Sequence, residues 1–301
     1  MHGPGCPLTR RFTPQLQEHI GQSRSWSGMA EMSGLRLAVA GLGAIGLQVA
    51  RRVDAGEIDG LELVAVSARD SEKAARSLSD FRNTPKLMPL ERLPEIADVI
   101  VECVPAQHFL SVAEPAIRSG RTFIPLSVGA LLGHMHLVDL AREKGARIVV
   151  PSGAILGLDA VRAVAEGDVH SVRLVTRKPP KGLAGAPLLV EKGISLEGLS
   201  EPMMVFSGSA REAAKGFPAN LNVSVALSLA GIGPDLTEVE LWADPSVTHN
   251  THTVVVKSAS SNLTMTIENL PSAENPRTGV ITALSVIAAL RRLTAPLVIG
   301  T

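Results

Sequence analysis

Between Leu35 and Val150 the chain alternates short, nearly continuous apolar runs with stretches in which apolar residues recur at every third or fourth position. The first pattern predicts strands at Leu35–Ala40, Leu61–Val66, Asp98–Cys103, Thr122–Leu126 and Arg147–Val150. The second predicts helices near Ala44–Val53, Ser71–Leu78, Ala106–Arg118 and Leu131–Lys144. Strands apolar on both faces, alternating with amphipathic helices, imply a parallel sheet covered on both sides. Gly120 and Gly145 stand where helices should stop. The expected fold class is α/β, with a Rossmann dinucleotide-binding domain over residues 34–150.

After Pro151 the pattern changes. A helix at Leu158–Ala165 leads into a strand, Val169–Thr176, and then into Lys178-Pro179-Pro180-Lys181-Gly182, a breaker. A helix follows at Asn222–Ala230, then strands at Thr237–Trp242, Thr253–Lys257 and Leu263–Glu268. A last helix runs from a Thr278 cap through Arg292 and is apolar on most faces, so it must be buried on the sheet, back on the first domain or at a subunit interface. Residues 151–301 are therefore expected to form an α+β domain with a mainly antiparallel sheet, for substrate binding or oligomerisation.

Composition narrows the function classes. At 301 residues the chain is long enough for two modest domains, and at 45% apolar residues it can bury a large core. Aromatics make up 3% and tyrosine is absent, so that core must be aliphatic. Basic and acidic residues balance at 29 each, which argues against nucleic acid or an anionic membrane as partner. Two cysteines, Cys6 and Cys103, make no disulfide framework and fit a reducing, cytoplasmic setting. No apolar run has the length of a membrane span. Residues 1–33 lack periodicity and the apolar core of a secretory signal, and they read as a disordered extension or as an early start before Met29 or Met32, with a mitochondrial presequence, on Arg10, Arg11 and Arg24, as the alternative.

The candidate chemistry begins at Gly41-Leu42-Gly43-Ala44-Ile45-Gly46, set between a strand and a helix. In that context Gly41 permits a tight turn, Gly43 lets backbone approach a pyrophosphate, and Gly46 lets helix and strand close up. Ala44 and Ile45 open the helix, whose free N–H groups and dipole favour phosphate. Ligands of such sheets bind beyond the carboxyl ends of the strands, here Glu102-Cys103-Val104-Pro105 and Ser127-Val128-Gly129. Cys103 reads as a nucleophile or as a small core thiol, and no base is evident to activate it. The second strand ends in Ser67-Ala68-Arg69-Asp70, with Ser67 and Arg69 where an NAD-preferring site usually carries an acid. That pair suits a 2′-phosphate, or Arg69 is simply a solvated loop residue.

The second half holds two polar clusters. Phe217-Pro218-Ala219-Asn220-Leu221-Asn222 opens a helix; Asn222 can serve as its N-cap, whereas Asn220 has no such structural role. In His249-Asn250-Thr251-His252 the two histidines have no third ligand at a recognisable spacing for metal, so no metal is expected. A single histidine as acid or base competes with an ordinary loop histidine.

Several of these motifs recur together in one family. Gly41–Gly46, Pro151-Ser152-Gly153-Ala154-Ile155, Thr176-Arg177-Lys178-Pro179-Pro180, Phe217–Val223, Ala230-Gly231-Ile232-Gly233, Ala243-Asp244-Pro245 and Asn250-Thr251-His252 follow in order, and the chain from Leu35 onward resembles L-aspartate dehydrogenase. The resemblance implies NAD(P)-dependent oxidative deamination of L-aspartate to oxaloacetate and ammonia through iminoaspartate, with a role in NAD biosynthesis in some organisms. It implies that His252 is the catalytic histidine, and that Ala154 and one of Asn220 and Asn222 contact NAD or NADP. His252 is then expected to accept a proton from the amine or from attacking water. Arg177, Lys178, Lys181 and Arg277 are the candidate partners of the substrate carboxylates. A homo-oligomer, most simply a homodimer, is expected. The alternatives are a related reductase acting on homoserine or dihydrodipicolinate, and a non-catalytic NAD(P)-binding sensor.

Overall fold

The computed structural model describes residues 34–218, 221–270 and 279–300. Residues 1–33, Asn220, Arg277 and Thr278, to which the sequence assigns roles, lie outside the described residues. The first half runs β1 (Leu35–Ala40), α1 (Ala44–Asp54), β2 (Leu61–Ser67), α2 (Ser71–Ser77), β3 (Lys86–Leu87), β4 (Val99–Glu102), α3 (Phe109–Arg118), β5 (Thr122–Pro125), α4 (Val128–Leu132), α5 (His136–Lys144) and β6 (Arg147–Ile148). Its six strands lie in the order β3-β2-β1-β4-β5-β6 and pair in parallel throughout. The order reverses between β1 and β4, and a crevice opens there beyond the strand ends.

Side-chain alternation along β1 explains the two helix layers. Leu37 and Val39 point to the face covered by α1, while Ala38 and Ala40 point to the face covered by α3 and α5. Two details differ from expectation. The helix expected over Leu131–Lys144 is broken at Gly133 into α4 and α5, and the first turn of the helix expected from Ala106 is a 3-10 turn at Ala106–His108.

The second half continues α6 (Leu158–Ala165), β7 (Val169–Lys178), α7 (Pro187–Glu191), β8 (Met203–Ser209), α8 (Ala210–Gly216), α9 (Asn222–Ala230), β9 (Thr237–Ala243), β10 (Thr251–Ser258), β11 (Asn262–Glu268) and α10 (Val280–Thr294). Its sheet runs β11-β10-β7-β9-β8, antiparallel except for the β7–β9 pair. Alternation again sorts the faces: Val172, Leu174, Val254, Val256, Val239 and Leu241 are buried in one core with residues of α6, α8 and α9. The strand and helix at Met203–Gly216 were not anticipated, although Ser209 and Glu212 form a capping box there.

Two strand boundaries bear directly on the chemistry. β7 extends through Lys178, and β10 begins at Thr251, so Lys178 and His252 are strand residues rather than members of a breaker or a loop. The last helix, α10, buries Val286, Ile287 and Leu290 against Leu37, Val39, Val49 and Val53 of the first sheet and α1. The chain therefore finishes on the core in which it began. Among the described residues no helix is long and apolar enough to cross a membrane.

Candidate active site

Gly41 leaves β1 at φ +100°, in the region that glycine alone tolerates well, and its N–H donates to the Ser67 carbonyl at 2.9 Å. A Cβ on Gly41 would lie 2.7 Å from the Cys103 carbonyl oxygen, and one on Gly46 would run into the Gly41 carbonyl. Gly43 is different. It caps α1 with no side-chain hydrogen bond, and a Cβ there would meet nothing within 4 Å. The space beside Gly43 and the uncapped N–H groups of α1 together form a cradle suited to an anion.

This cradle is one end of a cavity of about 400 Å³ between the carboxyl ends of the first sheet and one end of the second. Gly43, Ala44 and Ile45 form the first wall, Cys103, Val104, Ser127 and Val128 the second, and Pro151–Ala154 the third. Lys178, Asn222, Asn250, His252 and Asn269 close the far end. Beneath the second wall lies Glu102, fully buried. Its carboxylate accepts from Val104 N (3.0 Å), Leu126 N (3.1 Å), Ser127 N (2.9 Å) and Ser127 Oγ (3.1 Å). Burial pushes its pKa up, and these donors oppose that. Burial and the Glu102 charge raise the Cys103 thiol well above its ordinary range, which fits a structural thiol rather than a nucleophile.

Two polar side chains from remote parts of the sequence hold the third wall. Ser285 of α10 receives the Gly153 N–H at 3.0 Å, and Asn269, just after β11, donates through Nδ2 to the Ala154 carbonyl at 3.1 Å. The Asn269 Oδ1 is buried without a hydrogen-bond partner in the described structure. Buried polar oxygens rarely stay unpaired, so this one is open to a further hydrogen bond. Asn222 is the first residue of α9, not its N-cap, because its Oδ1 reaches across to accept the Gly129 N–H at 2.9 Å. Asn222 lines the cavity as well.

His252 and Lys178 meet at the far end. His252 is 2% exposed and its Nδ1 lies 3.0 Å from Oγ1 of the fully buried Thr176, its cross-strand partner. Burial first, and then the Lys178 charge, lower its pKa to about 3. The ring is therefore held in its neutral form, and burial together with the Lys178 charge disfavours the imidazolium that would follow if it took up a proton. Lys178 is 6% exposed, and burial lowers its pKa to about 8.

The other expected residues fall elsewhere. Arg177 pairs with Asp244 at 2.8 Å and stacks over Trp242 at 4.9 Å, outside the cavity. Lys181 lines a separate groove beside Leu189 and Leu199. His249 Nδ1 lies 2.9 Å from Thr248 Oγ1 and does not reach the cavity. Ser67 is buried at the end of β2 and Arg69 is exposed, both beyond the cavity. Glu102 and Thr176 stand in the sequence only as members of longer motifs with no role of their own, and Asn269 is not singled out there. A lone Glu ending the apolar run Val99-Ile100-Val101 was the available signal for the first.

Comparison with known proteins bears on this geometry. Residues 159–293 match a family model described as aspartate dehydrogenase, C-terminal, and residues 41–151 match the NAD binding domain of homoserine dehydrogenase. The L-aspartate dehydrogenase of Bradyrhizobium diazoefficiens is 52% identical over 281 residues, covering 92% of this chain and 99% of that protein. L-aspartate dehydrogenase 3 of Bordetella bronchiseptica is 52% identical over 273 residues, covering 91% and 100%. The crystal structure of aspartate dehydrogenase from Thermotoga maritima superposes with a TM-score of 0.66 at 26% identity, covering 88% of this chain and 99% of that one.

Since a Cβ at Gly43 meets nothing within 4 Å, Gly43→Val is expected to leave the fold intact while filling the space beside the glycine turn. Titration should show NAD affinity reduced by roughly tenfold or more with an unchanged melting temperature. Unchanged affinity would remove the glycine turn from the site.

Proposed function

The chain belongs to the L-aspartate dehydrogenase family, and from that membership we propose that it oxidises L-aspartate to iminoaspartate, whose hydrolysis gives oxaloacetate and ammonia, with the reverse reductive amination also open to it. The family is one of oxidoreductases, and the first half of the chain matches an NAD-binding domain. The observation that carries the reading is the convergence on one cavity of the glycine turn with Lys178 and His252. The sensor alternative loses ground for the same reason, because His252 lies in that cavity.

The residues fit a dinucleotide. Gly41, Gly43, Ala44, Ile45 and Gly46 hold the diphosphate, while Ala154, Asn222 and Asn269 stand at the nicotinamide end. The Asn269 Oδ1, without a partner among the described residues, supports this reading, since a carboxamide offers the N–H it lacks. Bound there, the cofactor supplies the hydride acceptor. NADP is proposed alongside NAD, because the end of β2 offers Ser67 and the exposed Arg69 instead of an acid. Lys178 supplies the cation for a substrate carboxylate, and His252 faces the reacting carbon. A cytoplasmic homo-oligomer feeding NAD biosynthesis completes the proposal, supported by the cysteine usage and the family resemblance.

The direct test is NADH oxidation on mixing oxaloacetate with ammonia, with either component omitted as control and homoserine as the competing substrate. Activity dependent on both components is expected. His252→Ala should lower kcat on the order of 10²-fold with cofactor affinity nearly unchanged, and His249→Ala should do much less. A larger loss in the His249 variant would overturn the assignment.

Cofactor choice offers a second check. Arg69→Ala should raise the KM for NADP and spare that for NAD, since only NADP carries the 2′-phosphate. Equal effects on both would make Arg69 irrelevant to the choice.

Charge on Lys178 gives a pH prediction. Its pKa is depressed to about 8, so the cation is present below that value and is lost as pH rises through it. Succinate, a dicarboxylate without an amine, should therefore inhibit well at neutral pH and progressively less above about 8. Lys178→Met should abolish that dependence. A succinate inhibition constant that is flat with pH in the wild type would exclude Lys178 as the carboxylate partner.

A further inference from the structure

The hydrogen bond between Thr176 and His252 admits two arrangements of hydrogen. In one, His252 carries its proton on Nδ1 and donates to Thr176 Oγ1. In the other, the Thr176 hydroxyl donates to an unprotonated Nδ1, and the ring proton sits on Nε2. The surroundings of Thr176 separate the two. Its side chain is fully buried, and among the described residues the hydroxyl has no hydrogen-bond partner other than His252 Nδ1. The first arrangement leaves the hydroxyl hydrogen in a dry interior without an acceptor, which folded proteins avoid. The second satisfies both groups and leaves a ring N–H facing the cavity that His252 lines.

We propose that Thr176 is a positioning residue that fixes His252 as the Nε2–H tautomer, so that His252 offers the substrate a hydrogen-bond donor at the oxygen of the reacting carbon. The inference rests on the aspartate reading above for the identity of that oxygen, which is the keto oxygen of oxaloacetate in the amination direction. A neutral imidazole N–H polarises a carbonyl without an ionic charge of its own, and in a water-poor cleft such a fixed donor is worth more than in solution. Burial and the neighbouring Lys178 keep the ring neutral and so maintain this state. The β7–β10 register supports it mechanically: Thr176 pairs with His252, while Leu174 with Val254 and Val172 with Val256 pack the same face below.

The tautomer can be read without any assay of turnover. Full-length protein labelled with 15N-histidine gives long-range 1H–15N correlations that distinguish a protonated Nε2 from a protonated Nδ1. The His252 signals are identified by their loss in His252→Gln. The expected result is a protonated Nε2 and an unprotonated Nδ1 in the wild type at pH 7, and the same pattern in Thr176→Ser. Thr176→Val should lose that preference, and kcat for oxaloacetate amination should fall roughly tenfold with the KM for NADH unchanged. A protonated Nδ1 in the wild type, or a Thr176→Val protein that matches the wild type in both spectrum and kcat, would overturn the inference. If Thr176→Val does not fold, the wild-type and Thr176→Ser spectra still decide it. Absence of turnover with oxaloacetate and ammonia would defeat the functional reading instead, because the spectrum is recorded without substrate.

Discussion

The cavity depends on one buried carboxylate. Glu102 ends β4 with no solvent contact, a costly position for a charge unless donors surround it. The donors are the backbone of Val104, Leu126 and Ser127 and the Ser127 hydroxyl, so the carboxylate ties the segment after β4 to the segment after β5. Ser127 in turn starts α4, where the Gly129 N–H is taken by Asn222 at the head of α9. One sequence of side-chain to backbone bonds thus runs from the middle of the parallel sheet to a helix of the second half. Apolar packing alone would not fix these loops, since loop backbone carries polar groups that need specific partners.

The third wall obeys the same principle from the other direction. Gly153 and Ala154 are held by Ser285 and Asn269, residues more than a hundred positions later in the chain. Ser285 is available only because α10 returns to the core of the first sheet through Val286, Ile287 and Leu290. A helix that completes a hydrophobic core also delivers a hydroxyl to the cavity rim. Stability and site geometry are coupled there, and truncation of α10 would disturb both.

Much of this fold was legible because local pattern and tertiary role agree. The glycine turn, the alternation of apolar strands with helices and the buried last helix all follow from periodicity and from the sterics of Gly41 and Gly46. Met203–Gly216 is not legible in the sequence because it begins in an exposed edge strand with weak alternation, despite its capping box. At the site, His252 was picked out through a family motif, but its environment was not visible. Its depressed basicity comes from burial and from Lys178, 74 positions away in sequence and adjacent only through the β7–β10 pairing. Likewise nothing local separates Lys178 from Arg177 or Lys181; strand parity does. Residues 172, 174, 176 and 178 share one face of β7, and Arg177 must therefore point to the other, where it finds Trp242 and Asp244.

That parity is also what makes the site specific. Along the inner face of the second sheet the residues grade from apolar to polar toward the cavity: Val172 and Val256, then Leu174 and Val254, then Thr176 and His252, then Lys178. The first two layers are core and would tolerate many aliphatic choices. The last two lie at the sheet end, where His252 and Lys178 are buried at the cavity. A slip of one residue in β10 would bring Thr251, Thr253 and Val255 inward and expel His252, while leaving most backbone pairing intact. Register is held against that slip by the burial of Val254 and Val256, which would be lost to the opposite face. The hydrophobic layers deep in the sheet thus set the position of a buried imidazole at its edge, and a geometry needed for chemistry is enforced by residues that take no part in it.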